Sequence, residues 1–336
     1  AQTQMSLNAR LNTRQHLCAP DRKVLELDAA IMDEAKKIVE KKYAEKINKG
    51  PYSEADIVAF HSKKIDKTDA IEKDFKDRLM QNQARIRTEI LAQLTGKSRR
   101  KATELKIEFD EEEEASIVAS LTQPYLERSI LAQAALTAAL LDIDNTLDNQ
   151  DTRARAFMRK WSEKLGKSTS KTQNETIQRI LQDWGATEGA SIAHLKKTIT
   201  EHLADSAKAE TIARTEVSRA AGFAQETVYK DAGAIGKKWA TAIDERVCEF
   251  CSELDGEIVE ISDAFLDSGD SLTGRDDGTL DASYGSVVSA PLHPNCRCDL
   301  LPIFENSKEA KELSESFNRI QKSFLEPKKE TEEEEK

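Results

Sequence analysis

SAKAETIARTEVSRAAGFAQETVYKDAGAIGKKWATAIDERVCEFCSELDGEIVEI, residues 206–261, is where the chain changes character. Up to Ala232 the spacing is helical: Ala213, Val217, Ala220, Ala221, Ala224 and Val228 recur every three or four residues and share one face. Their side chains are small, so a neighbouring element can approach closely. Beyond Ala232 the pattern becomes short and broken, and eight of the 13 glycines fall between Gly222 and Gly285. Residues 238–243 (KWATAI) predict a strand, and residues 256–261 (GEIVEI) alternate as a hairpin strand does. Residues 266–283 are polar and rich in Gly and Asp, which predicts a loop. Residues 297–304 predict a closing strand.

Upstream, the reading is helical throughout. Leu27, Ile31, Ala35, Ile38 and Val39 lie on one face, and Gly50-Pro51 stops that helix. Ser53 reads as an N-cap, with Asp56 three residues on. Ile71, Phe75, Leu79, Ile86, Ile90 and Leu94 form the next stripe, with Gly96 placed as a C′ residue. The acidic run 110–114 follows a basic run at 97–101 and reads as a solvated linker or helix end. Pro124 is expected to open a helix through Leu126, Ile130, Leu136, Leu140 and Ile143. Further helices are expected at about 172–184, 188–203 and 206–232. The fold class is therefore α+β and predominantly α. Residues 1–115 form a helical N-terminal region, a possible attachment arm. Residues 116–304 comprise helices (116–232) packed on a small Cys/His-containing β lobe (233–304). Residues 305–336 run from charged helix to a disordered acidic tail.

Composition narrows the function. The chain has 336 residues, 38% hydrophobic, 5% aromatic and 33% charged, with 50 Lys and Arg against 61 Asp and Glu. A net charge of −11 excludes a dominant basic nucleic-acid surface, leaving weak, salt-dependent DNA contact from local patches such as 97–101. The most apolar stretch, 131–143, is too short for a membrane span, which needs roughly 20 apolar residues. The first residues lack an apolar h-region, so no signal peptide is expected. The default compartment is then a reducing cytoplasm, where clustered cysteines are thiols or metal ligands more often than disulfides.

Four of the five cysteines sit in the lobe. Cys248 and Cys251 form a C-x2-C pair; His293, Cys296 and Cys298 follow after 41 intervening residues in H-P-N-C-R-C. Two intervening residues let both thiolates of a C-x2-C reach one ion from a tight turn. Cys296 and Cys298 share a face if they lie on a strand. Five candidate ligands for a four-coordinate ion point to structural zinc; buried small thiols and a disulfide are the alternatives. Cys18 stands alone and takes no role. A deaminase H-x-E with P-C-x-x-C, an H-E-x-x-H, a phosphate-binding loop and a G-x-S-x-G elbow are all missing from the sequence. His61, His194 and His202 fall on or near predicted helices and read as surface or packing residues.

One ordered set of residues carries a resemblance. It comprises Thr211-Ile212-Ala213-Arg214-Thr215-Glu216, then Trp239, Asp244-x-Arg246-x-Cys248-x-x-Cys251, Leu254-Asp255-Gly256 and Pro291-x-His293-Pro294-Asn295-Cys296-Arg297-Cys298. In this order it resembles the phage Mu F-like minor head proteins, a head-morphogenesis family that includes the SPP1-type minor head proteins. The match runs over about residues 170–304. The resemblance implies a late, non-enzymatic minor head protein in the virion, at the capsid interior or portal vertex, assembled in the host cytoplasm. Its implied partners are the portal protein and other capsid or scaffold proteins, with no membrane. It marks Arg214, Glu216, Trp239, Asp244, Arg246, Gly256 and Arg297 as structural.

Read as residues, Arg214 and Glu216 lie roughly 200° apart round a helix and do not pair with each other. Glu216 instead has Arg219, Arg246 or Arg297 as candidate partners. Two alternative functions remain: a zinc-stabilised nucleic-acid-binding protein, and an ADP-ribosyltransferase-like enzyme using an Arg/Glu pair.

Overall fold

The computed structural model describes residues 54–95, 105–145, 147–187, 191–241, 247–274, 277–283 and 285–304. Its helices are α1 (Glu54–Gln93), α2 (Glu111–Leu140), α3 (Thr152–Ala186), α4 (Ile192–His202) and α5 (Ser206–Asp231). The lobe follows as β1 (Gly236–Ala240), α6 (Glu249–Leu254), β2 (Ile258–Glu260), β3 (Ser271–Thr273), β4 (Thr279–Asp281) and β5 (Asp299–Ile303). The fold is α+β and predominantly α. The helix read at 27–39, the Ser53 cap, Gly96, the 97–101 patch, Cys18 and the 305–336 tail lie outside the described residues.

The stripe on α1 is buried as its spacing requires. Ile71, Phe75 and Leu79 pack with Leu121 and Tyr125 of α2 and with Ala209, Ala213 and Val217 of α5. The Phe75 and Tyr125 rings stack at 4.7 Å. Farther along α1, Ile86, Ile90 and Leu94 meet Ile177, Ile180 and Trp184 of α3 and Leu195 and Ile199 of α4. The small-residue face of α5 is buried at all six positions. Part of it packs on Leu126, Ile130 and Ala134 of α2. Where α5 meets the lobe the approach is closer still: a Cβ on Gly222 would lie 2.2 Å from the Ala290 carbonyl oxygen. Only glycine fits there without the lobe moving away.

Two helix starts differ from the sequence reading. α2 begins at Glu111, and Pro124 lies inside it. The Asp110 carboxylate accepts from the Glu112 and Glu113 N–H groups, and the acidic run fills the first turn, where the helix dipole favours negative charge. An interior proline costs about 3 kcal/mol. Buried Leu121, Tyr125 and Leu126 on either side of Pro124 offset that cost. α3 begins at Thr152 under an Asp151 cap. Its first turns bury Ala154, Ser162, Gly166 and Ser170. Ala154, Phe157, Met158, Trp161 and Leu165 recur there at helical spacing, a stripe that the sequence reading did not use. Gly166 is held close to α2, with the Ala115 carbonyl oxygen 2.2 Å from where its Cβ would be.

In the lobe, β1 is central in an antiparallel sheet of order β2-β1-β5, with Trp239 opposite Leu300. β1 begins at Gly236, earlier than the strand expected at 238–243, and residues 242–246 lie outside the described set. The segment 266–283 is not a plain loop: it holds the β3–β4 hairpin, registered on Leu272 opposite Leu280. These two half-buried leucines supply the cross-strand apolar pair that the polar composition hid.

α5 is bonded to this sheet. Tyr229 Oη and Gln225 Nε2 both donate to the Leu300 carbonyl, at 2.9 and 3.0 Å. Lys237 on β1 is fully buried and donates to Glu226 of α5 at 3.1 Å.

Candidate metal centre

The centre is assembled from two short pieces of backbone. Cys248 is the N-cap of α6, and its Sγ accepts from the Cys251 N–H at 3.3 Å. That turn sets Cys248 and Cys251 side by side. The second piece is the turn closed by the Cys296 N–H on the His293 carbonyl at 3.1 Å. Asn295 within it has φ of 62°, a left-handed conformation that Asn tolerates better than most residues. Cys298 then leads directly into β5.

All five expected ligands converge. His293 Nε2 lies 3.0 Å from Cys248 Sγ and 3.2 Å from Cys251 Sγ. Cys251 Sγ lies 3.7 Å from Cys296 Sγ. The donors form two overlapping triads, Cys248–Cys251–His293 and Cys251–Cys296–Cys298, with the atoms of each triad within 4.8 Å of one another. Cys251 belongs to both. The four cysteines are free thiols, and all but half-buried Cys248 are buried.

The electrostatics are those of a thiol cluster. Cys296 is held well below the usual thiol value by hydrogen bonds from Cys251 and Cys298. Cys251 is pushed far up, first by its bond to Cys296, then by Cys298 and burial. For Cys298, the bond to Cys251 lowers its value, but Cys296 and burial outweigh this and the net shift is upward. Trp239 also favours the Cys298 thiolate, and its buried indole N–H has no hydrogen-bond partner within ordinary range. His293 Nδ1 sits 2.8 Å from the Pro294 carbonyl, which makes Nδ1 the donor and leaves the Nε2 lone pair facing the thiols.

These features fit a metal ion. Tetrahedral zinc with Zn–S bonds of about 2.3 Å places two thiolates about 3.8 Å apart, close to the Cys251–Cys296 separation. A buried set of soft sulfur donors with one oriented imidazole is the ligand chemistry of zinc and other thiophilic ions.

The ligand loop is clamped from outside the lobe. Thr215 Oγ1 of α5 accepts from the Asn295 N–H at 3.1 Å, and Ser218 Oγ donates to the Cys296 carbonyl at 3.4 Å. Lys64 of α1 donates to the Cys298 carbonyl at 3.2 Å and pairs with buried Asp299. Thr215 belongs to the ordered set that carries the resemblance, without a role of its own; Lys64, Ser218 and Asp299 were not singled out from the sequence. The signal for Lys64 was there: Phe60, Lys64, Thr68, Ile71 and Phe75 continue one helical stripe, so a lysine occupies an apolar position.

Comparison with known proteins matches residues 150–301 to the family described as Phage Mu protein F like protein. Residues 150–301 are a Mu F-like domain. The domain therefore runs from the start of α3 into β5 and contains the whole Cys/His centre. Two relatives overlap it. One, from Enterococcus faecalis strain V583, is named NAD(+)–arginine ADP-ribosyltransferase EFV; it is 31% identical over 166 residues, 45% of this chain and 32% of that protein. The other is the uncharacterized protein YqbB of Bacillus subtilis strain 168, 26% identical over 193 residues, 55% of this chain and 60% of that protein. The chain thus spans a third to three fifths of these relatives. No solved structure matches it.

The remaining family-derived positions of the Mu F-like domain are distributed around the centre. Trp239 is fully buried and meets Phe265 edge-on at 5.1 Å. Gly256 adopts φ of +83°, the conformation that requires glycine in its turn. Arg297 lines a small cleft with Lys64, Glu72 and Arg214. Arg214 faces α1, bonding Glu72 at 3.3 Å and Glu210 at 3.2 Å. Glu216 pairs with Arg219 at 3.3 Å. Asp244 and Arg246 lie outside the described residues. His194 and His202 are exposed on α4. No helix among the described residues is long and apolar enough to cross a membrane.

Proposed function

We propose that the protein is a structural, non-enzymatic component of a phage-type head, acting in head morphogenesis and DNA packaging at the portal vertex. Its partners are the portal protein and other capsid or scaffold proteins. The observation that carries this reading is the Mu F-like domain over residues 150–301. The site of action is the virion, reached through assembly in the host cytoplasm. Co-expression with capsid, scaffold and portal proteins tests it. The chain should copurify with procapsids that contain portal and be lost from procapsids built without it. Equal recovery from both would remove the portal vertex from the proposal.

In the same reading the Cys/His centre holds one structural zinc ion, ligated by Cys251 and three of Cys248, His293, Cys296 and Cys298. With every position filled by protein, zinc supplies a cross-link between α6 and the 293–298 loop. The lobe has short strands and a polar hairpin, and small units with thin cores gain much of their stability from such links. Elemental analysis of protein purified without chelator should give close to one zinc per chain. Less than about half an equivalent, with thermal stability unchanged in strong chelator, would return the cluster to buried thiols.

The ADP-ribosyltransferase name of one relative favours a second reading, transfer from NAD to an acceptor arginine. Against it, Arg214 and Glu216 are both held in ion pairs, and Glu216 is 8% exposed. Incubation with labelled NAD and acceptor proteins separates the two: label transfer that is lost in Glu216→Ala would establish the enzyme.

A further inference from the structure

A cleft of about 320 Å³ opens between α3, α5 and the His293 loop. Its apolar walls are Trp161, Leu165, Ile212, Leu292 and Pro294. Glu216 also lines it, 8% exposed and paired with Arg219. Two cations lie over the Trp161 ring, Lys164 at 4.5 Å and the Arg219 guanidinium at 4.4 Å from the centroid. Lys160, Lys164 and Lys167 follow one another on α3 at i, i+4 and i+7, all three exposed, and so share one helix face. Lys164 lines the cleft; burial lowers its value, Arg219 and Lys160 lower it further, and Glu216 alone opposes them. On a chain of net charge −11 this helix face is a local excess of positive charge beside apolar walls.

We propose that this cleft docks an acidic polypeptide segment, with one apolar side chain against Leu165, Ile212 and Pro294 and its carboxylates on Lys160, Lys164 and Lys167. The floor and the rim select different groups. Glu216 and Arg219 balance each other's charge in the floor, whose other walls are apolar, so an uncharged group is favoured there, while the lysine rim takes negative charge. Neighbouring residues of a peptide supply both. A nucleic-acid strand would also be drawn to the lysines. Stacking a base on Trp161 would, however, first displace Lys164 or Arg219 from the ring. Such a cleft stands with or without a role in head assembly.

Fluorescence anisotropy on the full chain tests the proposal, using a short labelled peptide that alternates Glu with Leu. The peptide should bind. Replacing its glutamates by glutamine, or its leucines by serine, should each weaken binding about tenfold or more. Lys164→Glu with Lys167→Glu should weaken it to a similar degree, and both changes are at exposed positions that leave the core intact. Lys197→Glu on α4, a single charge reversal made elsewhere, should leave binding unchanged. Absence of binding would overturn the proposal, as would equal losses in the Lys197 and Lys164/Lys167 variants. So would tighter binding of a single-stranded oligonucleotide that depends on the same lysines, which would make the cleft a nucleic-acid surface.

Discussion

Glu216 and Gly222, on the same helix, show how single residues are constrained by what lies opposite. Burial raises the Glu216 carboxyl above its ordinary value, and Arg219 only partly opposes this. The folded-state value lies above the unfolded one, so this group's stabilising contribution is full below the unfolded carboxyl range. It is lost as pH rises through the folded value. Glu216→Gln should therefore raise stability at neutral pH. That gain should shrink as the solution is acidified, read from denaturant midpoints across pH. A gain that is constant with pH would mean the carboxylate charge is not its source. Gly222 makes a sharper case. Gly222→Ala drives a methyl to within 2.2 Å of the Ala290 carbonyl oxygen, backbone that cannot swing away. It should cost on the order of 3 kcal/mol. Gly185→Ala, near the end of α3 with nothing within 4 Å, should be neutral or stabilising by up to about 1 kcal/mol. Thermal melts of the two variants make the comparison directly.

At the scale of elements, α2 and α1 depend on polar groups placed at or near their ends. Asp110 satisfies two of the free N–H groups at the start of α2. Asp110→Ala should cost about 1 kcal/mol, whereas Asp110→Asn or Asp110→Ser should recover most of it. α1 reaches the lobe through Lys64, whose pair with Asp299 is buried on both sides. Lys64→Met removes the ammonium that pairs with the buried Asp299 carboxylate and should cost roughly 3–5 kcal/mol by chemical denaturation. Adding Asp299→Asn should return part of that loss, because a neutral amide is cheaper to bury than a carboxylate that has lost its ion pair. A double variant no better than the single one would mean that the Lys64 bond to the Cys298 carbonyl, and not the ion pair, holds the loop.

For the molecule as a whole, the helices and the lobe share one set of supports. The ligand loop is held by α5 through Thr215 and Ser218 and by α1 through Lys64. Stripping bound metal with a chelator should therefore lower the melting temperature of the full chain, not only of the lobe. Cys251→Ser should lower it more than Cys248→Ser, because Cys251 is common to both triads and Cys248 to one. Equal effects would place the ion in the Cys248–Cys251–His293 triad alone. Removing residues 54–95 should unfold the protein, since Ile71, Phe75 and Leu79 fill a core shared with α2 and α5. An attachment role for the N-terminal region is thus better tested by trimming ahead of Glu54 than by cutting to residue 110.

By itself the sequence determined the class of the fold, the span of α5 and the five candidate ligands. These are local signals: a repeat of three and four, a shift to alternation after Ala232, and a C-x2-C with H-x2-C-x-C. Tertiary structure decided the rest. In α3 packing decided which face meets α2: Ser162, Gly166 and Ser170 are buried there by close approach, not by being apolar. Pro124 could sit inside α2 because the residues flanking it are buried. The β3–β4 hairpin rests on a single leucine pair in a polar stretch. The overlap of the two triads on Cys251, and the clamp on their loop by Lys64, Thr215 and Ser218, depend on contacts between residues far apart in the chain. Spacing along a sequence gives the period of an element and the ligands it offers; which face meets which partner, and at what distance, is settled only when the elements pack.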